Sequence, residues 1–137
     1  TVMLKYGILN QYAAEEALPL CEKHNIGVIN MAVIREKLPN PQLLAEQIKI
    51  WKAEGRIEES DISEDTPLDW LIHGDVRSVV DAGYKFAADH NAISTVLTGT
   101  SSTRHLKANI ESLEIPSLPS FDRIRLERLF GDIAIYI

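Results

Sequence analysis

The residues of this chain best suited to chemistry lie at 93–109, ISTVLTGTSSTRHLKAN. Ile93, Val96 and Leu97 belong to a short run rich in β-branched residues, which stops at Gly99. Thr100, Ser101, Ser102 and Thr103 then offer hydroxyls suited to capping a new helix. A strand that passes through a glycine into a helix start aims backbone N–H groups and the positive end of the helix dipole at one point. That arrangement binds anions, phosphate above all. Gly99 suits a tight turn and a close approach of backbone to ligand. The bland alternative is that Ser101, Ser102 and Thr103 do no more than cap the helix.

The other reactive side chains do not converge. His24, His73 and His90 are scattered, and one cysteine, Cys21, gives no metal-ligand spacing for zinc. The acidic run around Glu58, Asp61, Glu64 and Asp65 lacks the glycine and spacing of a calcium loop. Trp51 and Trp70 read as packing residues. Asn30, polar inside an apolar stretch, is a candidate for touching a ligand.

The bulk composition narrows the classes. The chain has 137 residues, 45% hydrophobic and 25% charged, with a net charge of −6. That is an ordinary globular composition at the size of a single domain. The acidic balance, with no basic face, argues against nucleic acid as a partner. No apolar run approaches the ~18 residues of a membrane span, and no signal-peptide pattern opens the chain. One cysteine excludes an intrachain disulfide and fits a reducing compartment, so a cytoplasmic protein is expected.

The elements that must position the site follow from periodicity. Residues 2–9 and 26–34 read as apolar strands and 93–97 as a third. Helices are predicted over 11–23, from the Asn40-Pro41 start through Ala53, over 75–90, 103–113 and 120–130. Residues 56–69 read as a polar connection and 132–137 as a short strand or tail. The order β-α-β-α-α-β-α-α implies parallel pairing with right-handed crossovers. Three parallel strands make a thin sheet for so many helices, as though further strands belong to it.

The segments VMLKYGILN, LPLCEKHNIGVINMAVI and YKFAADHNAISTVLTGTSSTRHLKANIESL resemble the C-terminal half of an aldo-keto reductase. The resemblance runs from about Val2 to Gly131. Its most specific part is the strand leading to Gly99-Thr100-Ser101-Ser102, followed by Leu106 and Asn109. IGVIN after a helix ending in Lys-His-Asn supports it. The family folds as a (β/α)8 TIM barrel, of which a complete copy takes about 250 residues. The implied fold class is therefore α/β: the C-terminal portion, the last three β/α units, with parallel strands and flanking helices. Residues 1–137 are expected to be a single partial domain.

The resemblance implies NADP as cofactor, with NAD possible, and an oxidoreductase parent that reduces aldehydes, ketones or sugars. It assigns Gly99, Thr100, Ser101, Ser102, Arg104, His105 and Asn109 to the adenosine phosphate end of that cofactor. It sets Met31 where many members stack a tyrosine on the nicotinamide, and Met3 near a glutamine that holds the carboxamide. Arg104 and Lys107 would supply charge for a 2′-phosphate. The chain departs from the commonest pattern at Ser101, where arginine is frequent, at His105, where glutamine or arginine is, and at Ala108, where glutamate is. The catalytic Asp, Tyr, Lys and His of the family come from the first four strands, which would lie before Thr1. The isolated chain, read as a fragment, is thus expected to be inactive. Half a barrel leaves edges and an apolar face open, so self-association, or pairing with the missing N-terminal half, is expected. The alternative is a non-catalytic nucleotide-binding α/β module or pseudoenzyme.

Overall fold

The computed structural model describes residues 1–133, so the proposed tail at 132–137 falls largely outside the described residues. Three strands, β1 (Val2–Lys5), β2 (Val28–Met31) and β3 (Thr95–Val96), form one parallel sheet in the order β1-β2-β3. Register pairs Val2 with Val28 and Lys5 with Met31, then Ile29 with Thr95 and Asn30 with Val96. Among the described residues five α-helices accompany the sheet: α1 (Ala17–Lys23), α2 (Pro41–Ala53), α3 (Val79–Ala88), α4 (Thr103–Glu114) and α5 (Ser120–Phe130). The element order matches the one read from the sequence, and the pairing within the sheet is parallel.

The boundaries differ where a specific residue intervenes. The helix expected over 11–23 is a 3-10 turn at Tyr12–Ala14 followed by α1. Pro19 explains the break. In the interior of the longer helix its ring would clash with a preceding carbonyl, whereas here it sits in the first turn of α1, where its missing N–H costs nothing. Residues 24–26 close that helix in a Schellman arrangement: Asn25 has φ 53°, and Ile26 N–H donates to Cys21 O at 2.8 Å. α3 begins at Val79 rather than 75, because Ser78 is extended and its Oγ accepts from Asp81 N–H at 3.1 Å. α2 matches its expectation, with Asn40 Oδ1 accepting from Gln42 and Leu43 N–H and with Leu44, Ile48 and Trp51 buried.

The strands are shorter than the apolar runs that contain them. β2 stops at Met31 because Ala32 turns left-handed, φ 57°. One face of the sheet, with Val28, Asn30, Leu4 and Val96, packs on the helices and belongs to the core. The alternate residues Met3, Lys5, Ile29, Met31 and Thr95 share the other face, on which Met3 is 55% exposed.

The polar stretch 56–69 is tied down more firmly than a solvated loop. Ile57, Ile62 and Leu68 are buried, and Lys52 Nζ donates to Ile62 O at 2.6 Å. The acidic run here serves α5: Arg128 pairs with Asp61 at 3.1 Å and Arg125 donates to Asp61 O at 2.9 Å. The Arg125 guanidinium also lies 4.1 Å above the Trp70 ring.

Candidate functional site

A cleft of about 720 Å³ opens at the C-terminal ends of β2 and β3. That volume suits a small-molecule ligand, and this end of the strands is where parallel α/β folds build their sites. Three walls enclose it. The loop after β2 contributes Ala32, Val33, Ile34, Arg35 and Pro39. The second wall is the α3 side, with Ser78, Val80, Asp81 and Tyr84. The third runs from Leu97 through Thr100 into α4, with His105, Ala108, Asn109 and Ser112.

The turn after β3 is built by local hydrogen bonds. Ser102 is the N-cap of α4, its Oγ accepting from His105 N–H at 3.3 Å, and Thr100 Oγ1 accepts from Ser102 N–H at 3.1 Å. The Ser102 hydroxyl is therefore engaged as a cap, and that of Thr100 orders the turn while facing the cleft. Gly99 keeps a backbone conformation open to any residue, and a Cβ built on it would meet nothing within 4 Å. What its lack of a side chain provides is room in the cleft.

The floor is polar and fully connected. Thr98 Oγ1 receives Asn109 Nδ2 at 2.6 Å and lies 2.8 Å from the Tyr84 hydroxyl. Beside it, Asp81 is buried and accepts from Arg77 Nε at 2.9 Å and from Ser112 Oγ at 2.6 Å. Burial alone would raise the Asp81 pKa, but hydrogen bonds from Arg77 and Ser112 outweigh it and hold the carboxyl below its ordinary value. Arg77 is in turn shifted upward, first by Asp81 and then by Glu111, which meets its NH1 at 2.9 Å.

The loop after β2 reaches this floor through Gly83 on α3. A Cβ there would stand 2.7 Å from Leu38 Cδ1 and 3.0 Å from Ile34 Cγ2, so those side chains rest on bare helix backbone.

Of the residues singled out from the sequence, Gly99, Thr100, His105 and Asn109 line the cleft together. Ser101 and Arg104 are exposed and stand outside its lining, and Ser102 is the cap beneath it. Met31 is half-buried on the open sheet face, one residue before the lining begins. Asn30 is fully buried and spends its carboxamide on the main chain of Tyr6. The sequence reading missed the wall made by the loop after β2, Ala32 to Arg35, as well as Asp81 and Tyr84 on the α3 side. Ser78 and Asp81, which start α3, carry no sign in the sequence of facing a ligand. Among the described residues, no group of three or more His, Cys, Asp or Glu is arranged to hold a metal ion. No described helix is long and apolar enough to cross a membrane.

No protein-family model and no curated protein matches this chain. Among solved structures it is similar to the aldo-keto reductase AKR11C1 from Bacillus halodurans in both its holo and apo forms. Each superposes with a TM-score of 0.61 at 20% identity over 98% of this chain. The match takes in 43% of the holo chain and 44% of the apo chain, so this chain spans less than half the length of that protein. The fold is thus aldo-keto reductase-like: a parallel three-stranded sheet with flanking helices that corresponds to part of a TIM barrel.

Proposed function

We propose that this chain is the cofactor-binding part of an aldo-keto reductase-type oxidoreductase, and that the cleft between the β2 loop and α4 takes a nicotinamide dinucleotide. The observation that carries the reading is the cleft itself. It sits at the C-terminal ends of the strands, with Gly99 and Thr100 of the turn before α4 and His105 of its first turn on the wall. The fold likeness to an aldo-keto reductase supports the same reading. The open space at Gly99 fits a phosphate-bearing ligand brought close to backbone, and the helix start favours its charge. Asn109 and His105 would border the base, and Thr100 and the neighbouring N–H groups would hold phosphate. NADP(H) is the form implied by the family resemblance and NAD(H) its alternative. When bound, the nicotinamide supplies a hydride to a carbonyl carbon.

The carbonyl oxygen also needs a proton donor within hydrogen-bond reach. By the family resemblance that acid comes from an earlier strand, and no tyrosine among the described residues is proposed for it. Residues 1–137 are proposed as one partial domain of a cytoplasmic protein, inactive alone. Two surfaces favour a partner that completes the barrel. A groove of about 480 Å³ runs beside β1 and α1 with Tyr12 and Leu20 on its wall, and α4 exposes Leu106, Ile110 and Leu113 at helical spacing.

Calorimetric titration of the chain with NADH and NADPH tests the reading. Micromolar binding, abolished by filling the cleft with Gly99→Val, is the expected result. Absence of binding by a folded chain overturns it. Binding without reductase activity on aldehydes separates the fragment, or a non-catalytic module, from a self-sufficient enzyme.

A further inference from the structure

We infer that Arg35, on the loop after β2, is the cation that holds the phosphates in this cleft. We infer also that its isolation there makes the site prefer a dinucleotide with an unphosphorylated adenosine ribose to its 2′-phosphorylated form. The inference rests on the dinucleotide reading above and sharpens it.

The sequence drew attention to the cations of α4, but the fold takes them out of the cleft. Arg104 is exposed outside the lining, and Lys107 has a side chain 81% exposed, directed toward Glu111 at 3.9 Å. Arg77 is committed elsewhere, with Nε and NH2 on Asp81 and NH1 on Glu111. Arg35 is thus the one lysine or arginine among the described residues of the lining. Its ion pair is an exposed one, Nε to Glu36 Oε1 at 3.8 Å, the kind of contact that contributes little and exchanges easily. The loop that carries it is bracketed by two left-handed residues, Ala32 at φ 57° and Glu36 at φ 58°. Non-glycine residues in that region are held by their surroundings at a cost. Here Ile34 and Leu38, seated on Gly83, supply the hold.

The charge balance then decides the ligand. A pyrophosphate finds one guanidinium and the start of α4, which together match a bidentate cation and a helix N-terminus to two phosphates. A 2′-phosphate adds a further charge of about −1.5 to −2, as phosphomonoesters do. The remaining charged side chain of the lining is the Asp81 carboxylate, and His105 offers an imidazole for stacking rather than a guanidinium fork. A second phosphate site has no second fork to fill it.

The test is calorimetry of the 137-residue chain with NADH and NADPH at low and moderate salt, repeated for Arg35→Ala, Arg35→Lys and Arg104→Ala. Circular dichroism shows that each variant keeps its helices. The expected result is NADH bound about tenfold more tightly than NADPH. Arg35→Ala should weaken NADH about tenfold with a flatter salt dependence, and Arg35→Lys should recover part of it. Tighter binding of NADPH overturns the preference and leaves the dinucleotide site standing. Affinity that responds to Arg104→Ala more than to Arg35→Ala overturns the role of Arg35. Binding of neither nucleotide by the folded chain overturns this inference and the proposed function together.

Discussion

The carboxamide of Asn30 closes two hydrogen bonds with the main chain of Tyr6: Tyr6 N–H donates to Oδ1 at 2.9 Å, and Nδ2 donates to Tyr6 O at 2.8 Å. β1 ends at Lys5, so a side chain of β2 carries the pairing one step beyond the strand. That step directs the chain into the Gly7–Asn10 turn and sets where the β1 loop leaves the sheet.

Asn30→Leu keeps the volume and removes both bonds, leaving a buried N–H and C=O unpaired. A loss of about 2–4 kcal/mol is expected from two such groups. Urea denaturation followed by circular dichroism measures it, and an unchanged midpoint would contradict the role given to Asn30.

Asp81 ties α3 to α4 through Arg77 and Ser112. Its folded pKa lies below the ordinary 3.8, so the unfolded chain binds the proton more readily. The stability it contributes is complete above that ordinary value and is lost as pH falls through the folded one. Asp81→Asn should cost about 1.5–3 kcal/mol at neutral pH, the range for hydrogen bonds to a charged group. It should also flatten the acid limb of the stability curve. Urea midpoints across pH 3 to 7 for both proteins give the comparison.

His90 is shifted the other way around the neutral range. Burial lowers its pKa below the ordinary 6.5, Arg123 adds to this, and Glu22 and Glu127 oppose it. Its Nδ1 accepts from Ala92 N–H at 3.2 Å, and its ring meets Tyr6 edge-on at 5.0 Å, where burial raises the Tyr6 phenol to about 12. The folded state therefore resists protonation of His90. Stability is full above about pH 6.5 and falls as pH drops from there to the folded value. His90→Gln keeps an acceptor and removes the proton site, so its melting temperature should vary less than that of the parent between pH 7 and 5.

Ser102→Ala deletes the N-cap of α4. A cost of about 1 kcal/mol is expected, and Ser102→Gly should cost only a few tenths. Because Thr100 bonds to Ser102 N–H rather than to its hydroxyl, the turn should survive the change. Thermal melts of the three proteins rank them.

The exposed leucine and isoleucine stripe on α4 should drive association. Sedimentation at micromolar concentration is expected to show species larger than a monomer, and Leu106→Lys with Ile110→Glu should shift them toward monomer. A monomer throughout would remove the support for a completing partner.

Much of this fold was legible in the chain because local chemistry specified it. Asn40-Pro41 starts α2 and Gly55, at φ 70°, lets it end. Ser102 caps α4, and the helix expected over 120–130 is α5. The strand limits were less legible, since they depend on partners distant in sequence: Asn30 reaches Tyr6, and Ala32 turns left-handed against a loop packed on Gly83. Pro19 alone was a local signal sufficient to break the first helix.

The sequence by itself determined the order of strands and helices, the parallel sheet, and the turn at Gly99–Ser102 that opens α4. Periodicity, caps and turn residues act within a few positions and need no tertiary context. Only the tertiary structure decided which charges face the cleft. It turns Arg104 and Lys107 toward solvent, commits Arg77 to Asp81 and Glu111, and brings Arg35, from the loop after β2, into the same cleft lining as Thr100. The direction of a side chain into a shared space follows from how the helices pack, and that packing joins residues no local pattern connects.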